Sequence, residues 1–375
     1  VWPWLHDRHW SPEPTSAVLI TTVDGYVFVH EIKRKAMIED VLSGTACVRT
    51  ARRGHLGCII LDKPKRLNAV DLEMATGIER ALAAWRDDPS VQVVLLQSSA
   101  PRAFCAGGDL KAIRDVLLAD GPDHAFELMD RVYQTMLHIA QYAKPVVSFM
   151  DGIAMGGGVG LGGHARYRVV TERSIVAMPE TSIGLVPDAG GSWLLSRAPG
   201  GAGLRLALTG GRMNGVEAVA MGFADHMVPS DSLDNLRGLL ALRPVEDVFG
   251  LIRPLALPAQ ACTLKEYDPS ASLEHIVRGL ECSDQNVAQT DLQDISRACP
   301  TSIFAAWYGW QHARKASSLQ EAFAIEGRLV RYMLGRPDFV EGVRARLIDR
   351  DNAPLWQPSM LAAVDVAALE AALTS

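Results

Sequence analysis

Two glycine-rich loops, each placed between an apolar strand and a helix, constrain the fold of this chain most. The first loop follows a strand predicted at residues 91–98 and reads FCAGGD over residues 104–109, with Asp109 opening a helix. The second follows a strand predicted at residues 145–150 and carries a glycine triplet, residues 156–158, at a helix start. Short strands and helices alternate around both loops, which predicts an α/β fold of stacked ββα units.

A dinucleotide-binding turn is the first alternative for the second loop, because Gly158, Gly160 and Gly163 match the pattern GxGxxG. Such a turn needs its first glycine directly after a strand. Here residues 151–155 intervene, and a single turn of this kind leaves the other glycine loop unexplained. Two loops that each precede a helix can instead aim two backbone N–H groups at one oxygen, as in an oxyanion hole. The structural alternative is that the glycines serve only close packing or positive φ.

Two carboxylates follow the second loop, Glu180 within MPETSIG and Asp188 within VPDAGG. Alone, each is most simply a helix or turn cap. Beside two candidate oxyanion loops the pair gains a chemical interpretation, since a carboxylate near a polarised carbonyl can attack it or activate water. The residues therefore predict acyl-thioester chemistry with Glu180 and Asp188 as the catalytic groups.

These motifs together carry a family resemblance. RAFCAGGD (residues 102–109) and DGIAMGGGVGL (residues 151–161) resemble the two oxyanion loops of the enoyl-CoA hydratase/isomerase superfamily, the crotonases. The similarity continues through residues 177–191 and 207–228. Residues 339–358 resemble one branch in particular, the branch that hydrolyses 3-hydroxyisobutyryl-CoA in valine catabolism.

The resemblance covers residues 47–358 and implies a crotonase-like spiral of repeated ββα units with a C-terminal helical subdomain. It also implies an acyl-CoA thioester as substrate, with no metal and no cofactor beyond the CoA of the substrate. The positions that match the family's site are the oxyanion donors Gly108 and Gly157, the catalytic acids Glu180 and Asp188, and the CoA-binding residues Asn68, Ala106 and Gly107.

Gly160 distinguishes hydrolysis from hydration within this resemblance. A typical hydratase of the family has a second catalytic glutamate there, and hydration of a double bond benefits from two carboxylates. Glycine at this position therefore favours thioester hydrolysis. The alternatives are an enoyl-CoA hydratase or isomerase that uses Glu180 alone, and an acyl-CoA-binding protein without turnover. The hydrolase branch often has an acid before a tyrosine where this chain has Val132 before Tyr133, so the exact acyl group stays open.

Other polar residues near the motifs receive less specific interpretations. Cys105 has no histidine placed as its base, so a packing role is expected, and His164 is assigned no role. Lys63, Lys65 and Arg66 are expected either in a solvated loop or at the CoA phosphates. Arg344 is expected to be structural.

Composition bounds the partners and the compartment. The chain has 375 residues, 48% of them hydrophobic, and a formal net charge of −6, so neither nucleic acid nor a membrane is an expected partner. Its six cysteines form no CxxC pair, which favours free thiols in a reducing compartment. We expect a cytoplasmic protein, or one of the mitochondrial matrix in a eukaryote. A homo-oligomer is compatible with the resemblance, since crotonases are commonly trimers or pairs of trimers, although the hydrolase branch need not be.

Three segments are predicted along the chain. Residues 1–36 are rich in Trp and His and are expected to be an extension outside the main fold, either disordered or with strand structure within residues 18–30. Residues 37–235 are predicted to form the ββα spiral core that carries the active site. Helical patterns dominate residues 236–375, which are predicted to be a helical C-terminal subdomain with two helices in residues 302–334.

Overall fold

The first described part of the chain is a separate β-hairpin. The computed structural model describes residues 18–23, 26–31, 39–255 and 264–374. Strands β1 (Val18–Val23) and β2 (Tyr26–Glu31) pair antiparallel in a two-stranded sheet of their own. The strand alternative for residues 18–30 therefore agrees with the structure, whereas the rest of the predicted extension lies outside the described residues.

The other strands form two larger sheets. In chain order they are β3 (Glu39–Thr45), β4 (Val48–Arg53), β5 (Leu56–Leu61), β6 (Val93–Ser98), β7 (Ala103–Cys105), β8 (Val146–Phe149), β9 (Ile153–Met155), β10 (Tyr167–Val170), β11 (Ile175–Ala177), β12 (Arg212–Asn214) and β13 (His226–Met227). Seven of them form one sheet in the order β13–β10–β8–β6–β5–β4–β3, and four form a second sheet in the order β12–β11–β9–β7.

From β6 to β11, successive strands alternate between these two sheets, which produces a spiral. Strands β6, β8 and β10 are parallel neighbours in the large sheet, and β7, β9 and β11 are parallel neighbours in the small one. Each ββα unit therefore advances the chain by one strand in both sheets. Strand β6 is buried along nearly its whole length, which explains its continuous apolar sequence. The predicted α/β class and ββα spiral are confirmed.

Helices surround this spiral and make up most of the C-terminal half. They are α1 (Leu72–Trp85), α2 (Leu110–Asp120), α3 (Pro122–Gln141), α4 (Gly157–Gly162), α5 (Gly191–Arg197), α6 (Ala202–Thr209), α7 (Gly215–Ala220), α8 (Leu233–Leu240), α9 (Val245–Gly250), α10 (Leu273–Glu281), α11 (Asn286–Arg297), α12 (Pro300–Lys315), α13 (Leu319–Leu334), α14 (Pro337–Val343) and α15 (Val366–Thr374). Within the described ranges, none of these helices has the length and apolar sequence needed to cross a membrane.

Side-chain caps fix where two helices near the first glycine loop begin. The Asp71 carboxylate accepts the Met74 N–H at 3.0 Å at the start of α1. The Asp109 carboxylate accepts the Ala112 N–H at 3.4 Å at the start of α2. Each cap satisfies a backbone donor that has no acceptor within its own helix. Helix α2 therefore begins directly after Gly108, which holds the first glycine loop at a helix start.

The hydrophobic core joins the spiral to the C-terminal helices. One cluster of buried side chains extends from Ile78 on α1 to Trp310 on α12 and Leu369 on α15. A second cluster packs Leu236 and Phe249, from α8 and α9, against the seven-stranded sheet. The two helices predicted in residues 302–334 are present as α12 and α13. The predicted boundary between residues 235 and 236 falls inside α8, and the division of the chain into a core and a helical subdomain stays a prediction.

Candidate active site

A cavity of about 300 Å³ lies where the two glycine loops meet α2 and α3. Six of the seven predicted site residues line it, namely Ala106, Gly107, Gly108, Gly157, Glu180 and Asp188. Much of the remaining wall is apolar and comes from α2 and α3, with Ile113, Val116, Leu128, Met129, Val132 and Met136. Backbone donors and carboxyl groups therefore face an enclosed, largely apolar space, as is common in small-molecule sites.

The two glycine loops present adjacent backbone N–H groups to this cavity. The Val70 N–H donates to the Gly107 carbonyl at 2.8 Å, and the Asp109 N–H donates to the Val70 carbonyl at 2.9 Å, so the Gly108 N–H lies outside this pairing. Gly157 is the first residue of α4, where an N–H has no intrahelical acceptor. A Cβ added to Gly157 would lie 3.3 Å from the Gly108 nitrogen. Among the described residues neither N–H has an acceptor, so both are available to a ligand oxygen.

Glu180 directs its carboxylate towards the second glycine loop. It opens the 3-10 turn Glu180–Ile183 that follows β11. Gly156 has φ +48°, and a Cβ added to it would lie 2.6 Å from Oε1 of Glu180, so glycine allows this close approach. Glu180 is buried, and its Oε2 has no hydrogen-bond partner among the described residues. Because a buried oxygen without a partner destabilises the fold, it indicates a group retained for a ligand or for chemistry.

Asp188 is the second buried carboxyl of the site. It accepts a hydrogen bond from the hydroxyl of Tyr133, a cavity-lining residue on α3 that the sequence analysis did not assign to the site. The alternative of a simple helix cap does not fit, since the residue that caps α5 is Gly190 and the Asp188 side chain bonds the tyrosine instead. The only sequence signal for Tyr133 was its position beside Val132 in the family motif.

Burial raises the pKa of both carboxyl groups of the site. It raises the pKa of Glu180 well above its usual range, and the carboxylates of Asp188 and Glu326 add to this effect. Burial also raises the pKa of Asp188, to about 6, although the Tyr133 hydrogen bond opposes the shift. Both groups are therefore shifted towards the protonated form, and Asp188 is the one whose charged form a hydroxyl stabilises. Carboxyl pairs with raised pKa values are typical of acid–base sites.

Asn68 lies behind the cavity. Its side-chain oxygen accepts the Lys63 N–H at 2.8 Å, and its amide nitrogen donates to the Ser98 hydroxyl at 2.7 Å and the Phe104 carbonyl at 2.9 Å. The residue is fully buried and is not among the residues that line the cavity. Because its side-chain polar atoms are already bonded within the protein, the side chain braces the first glycine loop. Its predicted role in CoA binding stays a prediction.

The basic residues expected near the CoA phosphates divide into two groups. Lys63 bonds Asp71 at 2.5 Å beneath the loop, which makes it structural. Arg66 pairs with Asp109 at 2.6 Å, but its side chain is 65% exposed, and Asp109 lines the cavity. Lys65 is also exposed, and Arg66 is the exposed cation that bonds a cavity-lining residue. Arg344 is structural as expected, since it bonds Glu341, Asp349 and Asp351 at 2.6–2.8 Å.

The structure gives a packing reason for glycine at position 160. A Cβ added to Gly160 would lie 2.4 Å from the Met136 sulfur and 2.7 Å from the Ala189 Cβ. A glutamate side chain there would have to displace both neighbours. The space beside α4 is thus already filled by apolar atoms, and Glu180 and Asp188 are the carboxyl groups that line the cavity together with the N-cap Asp109 and Asp71.

Two other reactive side chains near the site are neutral and buried. Burial raises the pKa of the Cys105 thiol to about 12, and the residue does not line the cavity, which agrees with its expected packing role. Burial lowers the pKa of His164 to about 4, and its Nε2 donates to the Ala189 carbonyl at 2.9 Å. The imidazole therefore supports the segment after Asp188 and does not serve as a base for Cys105.

The fold and the site together define a class of protein. The model of the enoyl-CoA hydratase/isomerase family matches residues 56–373, and the chain belongs to this family. It is 37% identical to the mitochondrial 3-hydroxyisobutyryl-CoA hydrolase of Danio rerio, over 83% of this chain and 85% of that protein. It is 33% identical to the human protein of the same name, over 83% of this chain and 84% of that protein.

Solved structures with similar folds carry other activity names. A carnitinyl-CoA dehydratase from Mycobacterium thermoresistibile superposes with a TM-score of 0.79 and 37% identity, covering 88% of this chain and 96% of that one. An enoyl-CoA hydratase from Rhodobacter sphaeroides 2.4.1 gives a TM-score of 0.78 and 36% identity, covering 88% and 97%. Because the names in the two sets of relatives differ, the reaction has to be argued from the site itself.

Proposed function

We propose that this chain hydrolyses a short hydroxylated or branched acyl-CoA thioester, most simply 3-hydroxyisobutyryl-CoA, to the free acid and CoA. The observation that carries the proposal is the pair of unbonded N–H groups of Gly108 and Gly157 beside the buried, partly unbonded carboxylate of Glu180. A thioester carbonyl placed there would meet two donors and one nucleophile or base. The curated relatives named as 3-hydroxyisobutyryl-CoA hydrolases support the same substrate.

The chemistry follows from what each group can donate or accept. The thioester oxygen accepts hydrogen bonds from Gly108 and Gly157, which stabilise the negative charge that develops as the carbonyl is attacked. Ionised Glu180 either attacks the carbonyl carbon to form a mixed anhydride or removes a proton from an attacking water. The carbon–sulfur bond then breaks, and the CoA sulfur leaves and gains a proton, from Glu180 in the general-base route and from water in the anhydride route. In the anhydride route a water molecule then cleaves the anhydride, which releases the acid and restores the Glu180 carboxylate. Asp188 binds the 3-hydroxyl of the acyl group or positions the water.

The CoA moiety would follow the first glycine loop. Ala106 and Gly107 line the cavity and leave room beside it, since Gly107 carries no side chain and adopts φ +117°. The exposed guanidinium of Arg66 lies beside this loop through its bond to Asp109 and is an accessible cation for a phosphate. We therefore propose Ala106, Gly107 and Arg66 as contacts of the CoA moiety.

Hydration of an enoyl-CoA is the second candidate, because the two solved relatives are named as a dehydratase and a hydratase. Position 160 argues against it, since packing around Gly160 leaves no room for a carboxylate on that side of the cavity. Asp188 instead enters from the segment before α5. This arrangement supports a site with one nucleophile and one orienting acid at the carbonyl.

The compartment and the assembly belong to the same proposal. We propose a cytoplasmic protein, or one of the mitochondrial matrix in a eukaryote. The cysteines Cys47, Cys58, Cys105 and Cys299 are free and buried, which fits a reducing compartment. A homo-oligomer of the kind common among crotonases is the proposed assembly, which sedimentation velocity would test.

A thiol-release assay over a panel of acyl-CoAs tests the function directly. The panel contains 3-hydroxyisobutyryl-, 3-hydroxypropionyl- and crotonyl-CoA, with free CoA followed by a thiol reagent and crotonyl-CoA also by its conjugated absorbance. We expect thiol release from the two hydroxyacyl thioesters. Rapid loss of the conjugated absorbance without thiol would favour the hydratase, and binding of all three without any turnover would favour a non-catalytic protein.

The variant Glu180→Gln supplies the matched control for this assay. The amide is nearly isosteric but cannot act as nucleophile or base, so we expect kcat to fall by roughly 10²–10⁴-fold with KM changed little. Circular dichroism of the variant should match that of the wild type. Thiol release at the wild-type rate by Glu180→Gln would contradict the assignment of this residue.

A further inference from the structure

A buried carboxylate outside the cavity binds the segment that carries Asp188. Glu326 on α13 accepts the Gly190 N–H at 2.7 Å through Oε2 and the Ser192 N–H at 2.9 Å through Oε1. The Ser192 hydroxyl also donates to Oε1. Glu326 is 1% exposed and does not line the cavity. Its hydrogen-bond partners follow Asp188 directly in the chain, on the segment that leads into α5.

This segment has a backbone that needs external support. Ala189 and Gly190 have φ +56° and +75°, and a non-glycine residue in this region is strained and persists only where its surroundings hold it. The Gly191 N–H donates to the Asp188 carbonyl at 2.7 Å, which closes a tight turn. His164 donates to the Ala189 carbonyl from the other side. The turn is therefore held between Glu326 and His164, with Asp188 at its start.

Among the groups around this turn, Glu326 is the principal acceptor of its backbone N–H groups. The titratable groups that face Glu326 and the turn are Glu180 on the 3-10 turn, Asp188, Tyr133 on α3 and His164 after α4. Burial raises the pKa of Glu326, and the hydrogen bonds from Ser192 and Gly190 oppose this shift. Each of its two oxygens accepts a backbone N–H, which favours the ionised form of the carboxyl. An ionised carboxylate accepts several donors at once, and these bonds are of the stronger, charge-assisted kind.

We propose that Glu326 is a positioning residue of the site, which fixes Asp188 against the cavity by binding the N–H groups of Gly190 and Ser192. The proposal rests on the proposed hydrolase function. Glu326 touches no substrate in this arrangement, since it lies behind the turn. Glu326 affects the reaction because it fixes the position of Asp188 and affects its charge, and because its own negative charge lies near Glu180.

The alternative is that Glu326 only caps α5 and stabilises the fold. Glu326→Gln distinguishes the two, because the amide keeps the volume but presents an N–H₂ group to a backbone N–H and carries no charge. We expect kcat for 3-hydroxyisobutyryl-CoA to fall at least tenfold, with KM within threefold of wild type. We also expect the acidic limb of the pH profile of kcat/KM to move to lower pH, because a negative charge near Glu180 has been removed.

Asp291→Asn is the matched control for loss of a buried carboxylate. Asp291 is 2% exposed and bonds Arg205 and Tyr267 in the C-terminal half, away from the cavity lining. This variant is expected to lower the melting temperature while the acidic limb stays in place. If the role of Glu326 is purely structural, Glu326→Gln will behave like this control. Fewer molecules will be active, but the acidic limb of the pH profile will stay in place. That result would overturn the proposal.

Two further variants keep the test decisive if Glu326→Gln does not fold. Ser192→Ala removes only the hydroxyl and leaves both backbone bonds, so we expect a loss of kcat of a few fold. Glu326→Asp keeps the charge, so we expect it to hold the acidic limb near its wild-type position while kcat falls. Wild-type kcat in both variants would overturn the positioning role. Absence of thiol release by the wild type with every acyl-CoA would instead reject the proposed function.

Discussion

Glu180 has to lose its proton before it can attack a carbonyl or activate water. Because burial and nearby carboxylates raise its pKa, ionisation occurs only as pH rises through that raised value. We therefore expect kcat/KM to increase with pH through the neutral range, by about tenfold per unit on the acidic limb, before it levels off. Thiol-release rates between about pH 5.5 and about pH 9 measure this limb. A profile that is flat or that falls over this range would contradict the assignment.

Asp188→Asn should shift the acidic limb of the kcat/KM profile to lower pH. The carboxylate of Asp188 raises the pKa of Glu180, so its neutral replacement lowers that pKa and shifts the limb to lower pH. At the plateau we expect kcat to fall by about 10²-fold, because an acid that positions water or substrate is lost. Tyr133→Phe is the comparison, since it keeps the Asp188 carboxyl and removes only the hydrogen bond that lowers its pKa, so we expect a smaller shift in the same direction. A shift to lower pH in Tyr133→Phe but not in Asp188→Asn would refute this coupling.

The raised pKa of Glu180 also predicts a cost in stability. A carboxyl whose pKa is higher in the folded than in the unfolded protein binds more protons when folded, so stability decreases as pH rises above the unfolded value. Glu180→Gln removes this loss. We expect its melting temperature to exceed that of the wild type by a few degrees at about pH 8, with the gap closing towards about pH 4. Calorimetry at both pH values measures this difference in melting temperature. A variant that is less stable than the wild type at about pH 8 would contradict the prediction.

Helix α4 shows how packing of one element restricts the chemistry. A Cβ on Gly160 would lie 2.4 Å from the Met136 sulfur and 3.0 Å from the Ala189 carbonyl oxygen. We expect Gly160→Ala to lower the free energy of unfolding by about 1–3 kcal/mol, measured by urea denaturation. Gly250→Ala on α9 is the control, because among the described residues no atom outside its own helix backbone lies within 4 Å of its added Cβ, and it should be neutral or stabilising by up to about 1 kcal/mol. Equal effects of the two substitutions would contradict the packing account.

Sequence patterns predicted the elements whose causes are local. The cap Asp109 and the glycines around it determine where α2 begins, and that information lies within a few residues. The apolar run of β6 requires burial on both faces wherever the chain places it. Gly108, Gly157, Glu180 and Asp188 could be proposed together because each lies within a motif that marks its own loop.

The residues that were missed depend on contacts distant in sequence. Tyr133 bonds Asp188 across 55 positions, and Glu326 bonds Gly190 across 136 positions, so no local pattern indicates either pair. The available signal for Glu326 was a lone acid within the apolar face of α13, between Ile325 and Leu329. The orientation of the Asn68 side chain depends on a distant contact as well. Its bond to Phe104 turns its side chain away from the cavity, and a motif does not show such an orientation.

The C-terminal helices complete the core on which the active site depends. Trp310 on α12 is 1% exposed, and its indole N–H donates to the Leu195 carbonyl of α5 at 3.1 Å. Arg197 of α5 bonds the carbonyls of Ala313 and Ala316 near the end of α12. Helix α5 follows the turn that carries Asp188, so the spiral and the helical part are connected at the site itself. A single hydrophobic cluster then extends through both.

This shared core predicts that the two parts unfold together. If the helical part were an independent domain, its loss would leave the spiral intact and two transitions would be observed. Because removal of α12 and α13 would expose Phe339, Leu195 and other core residues, we expect one transition. Pulsed hydrogen exchange with mass spectrometry, at increasing urea concentrations, measures the unfolding of β5 and of α12 separately in the same sample. Their midpoints should coincide, and Trp310→Ala should lower both together by about 3–5 kcal/mol in unfolding free energy. Exchange of α12 at a clearly lower urea concentration than β5 would restore the picture of two independent domains.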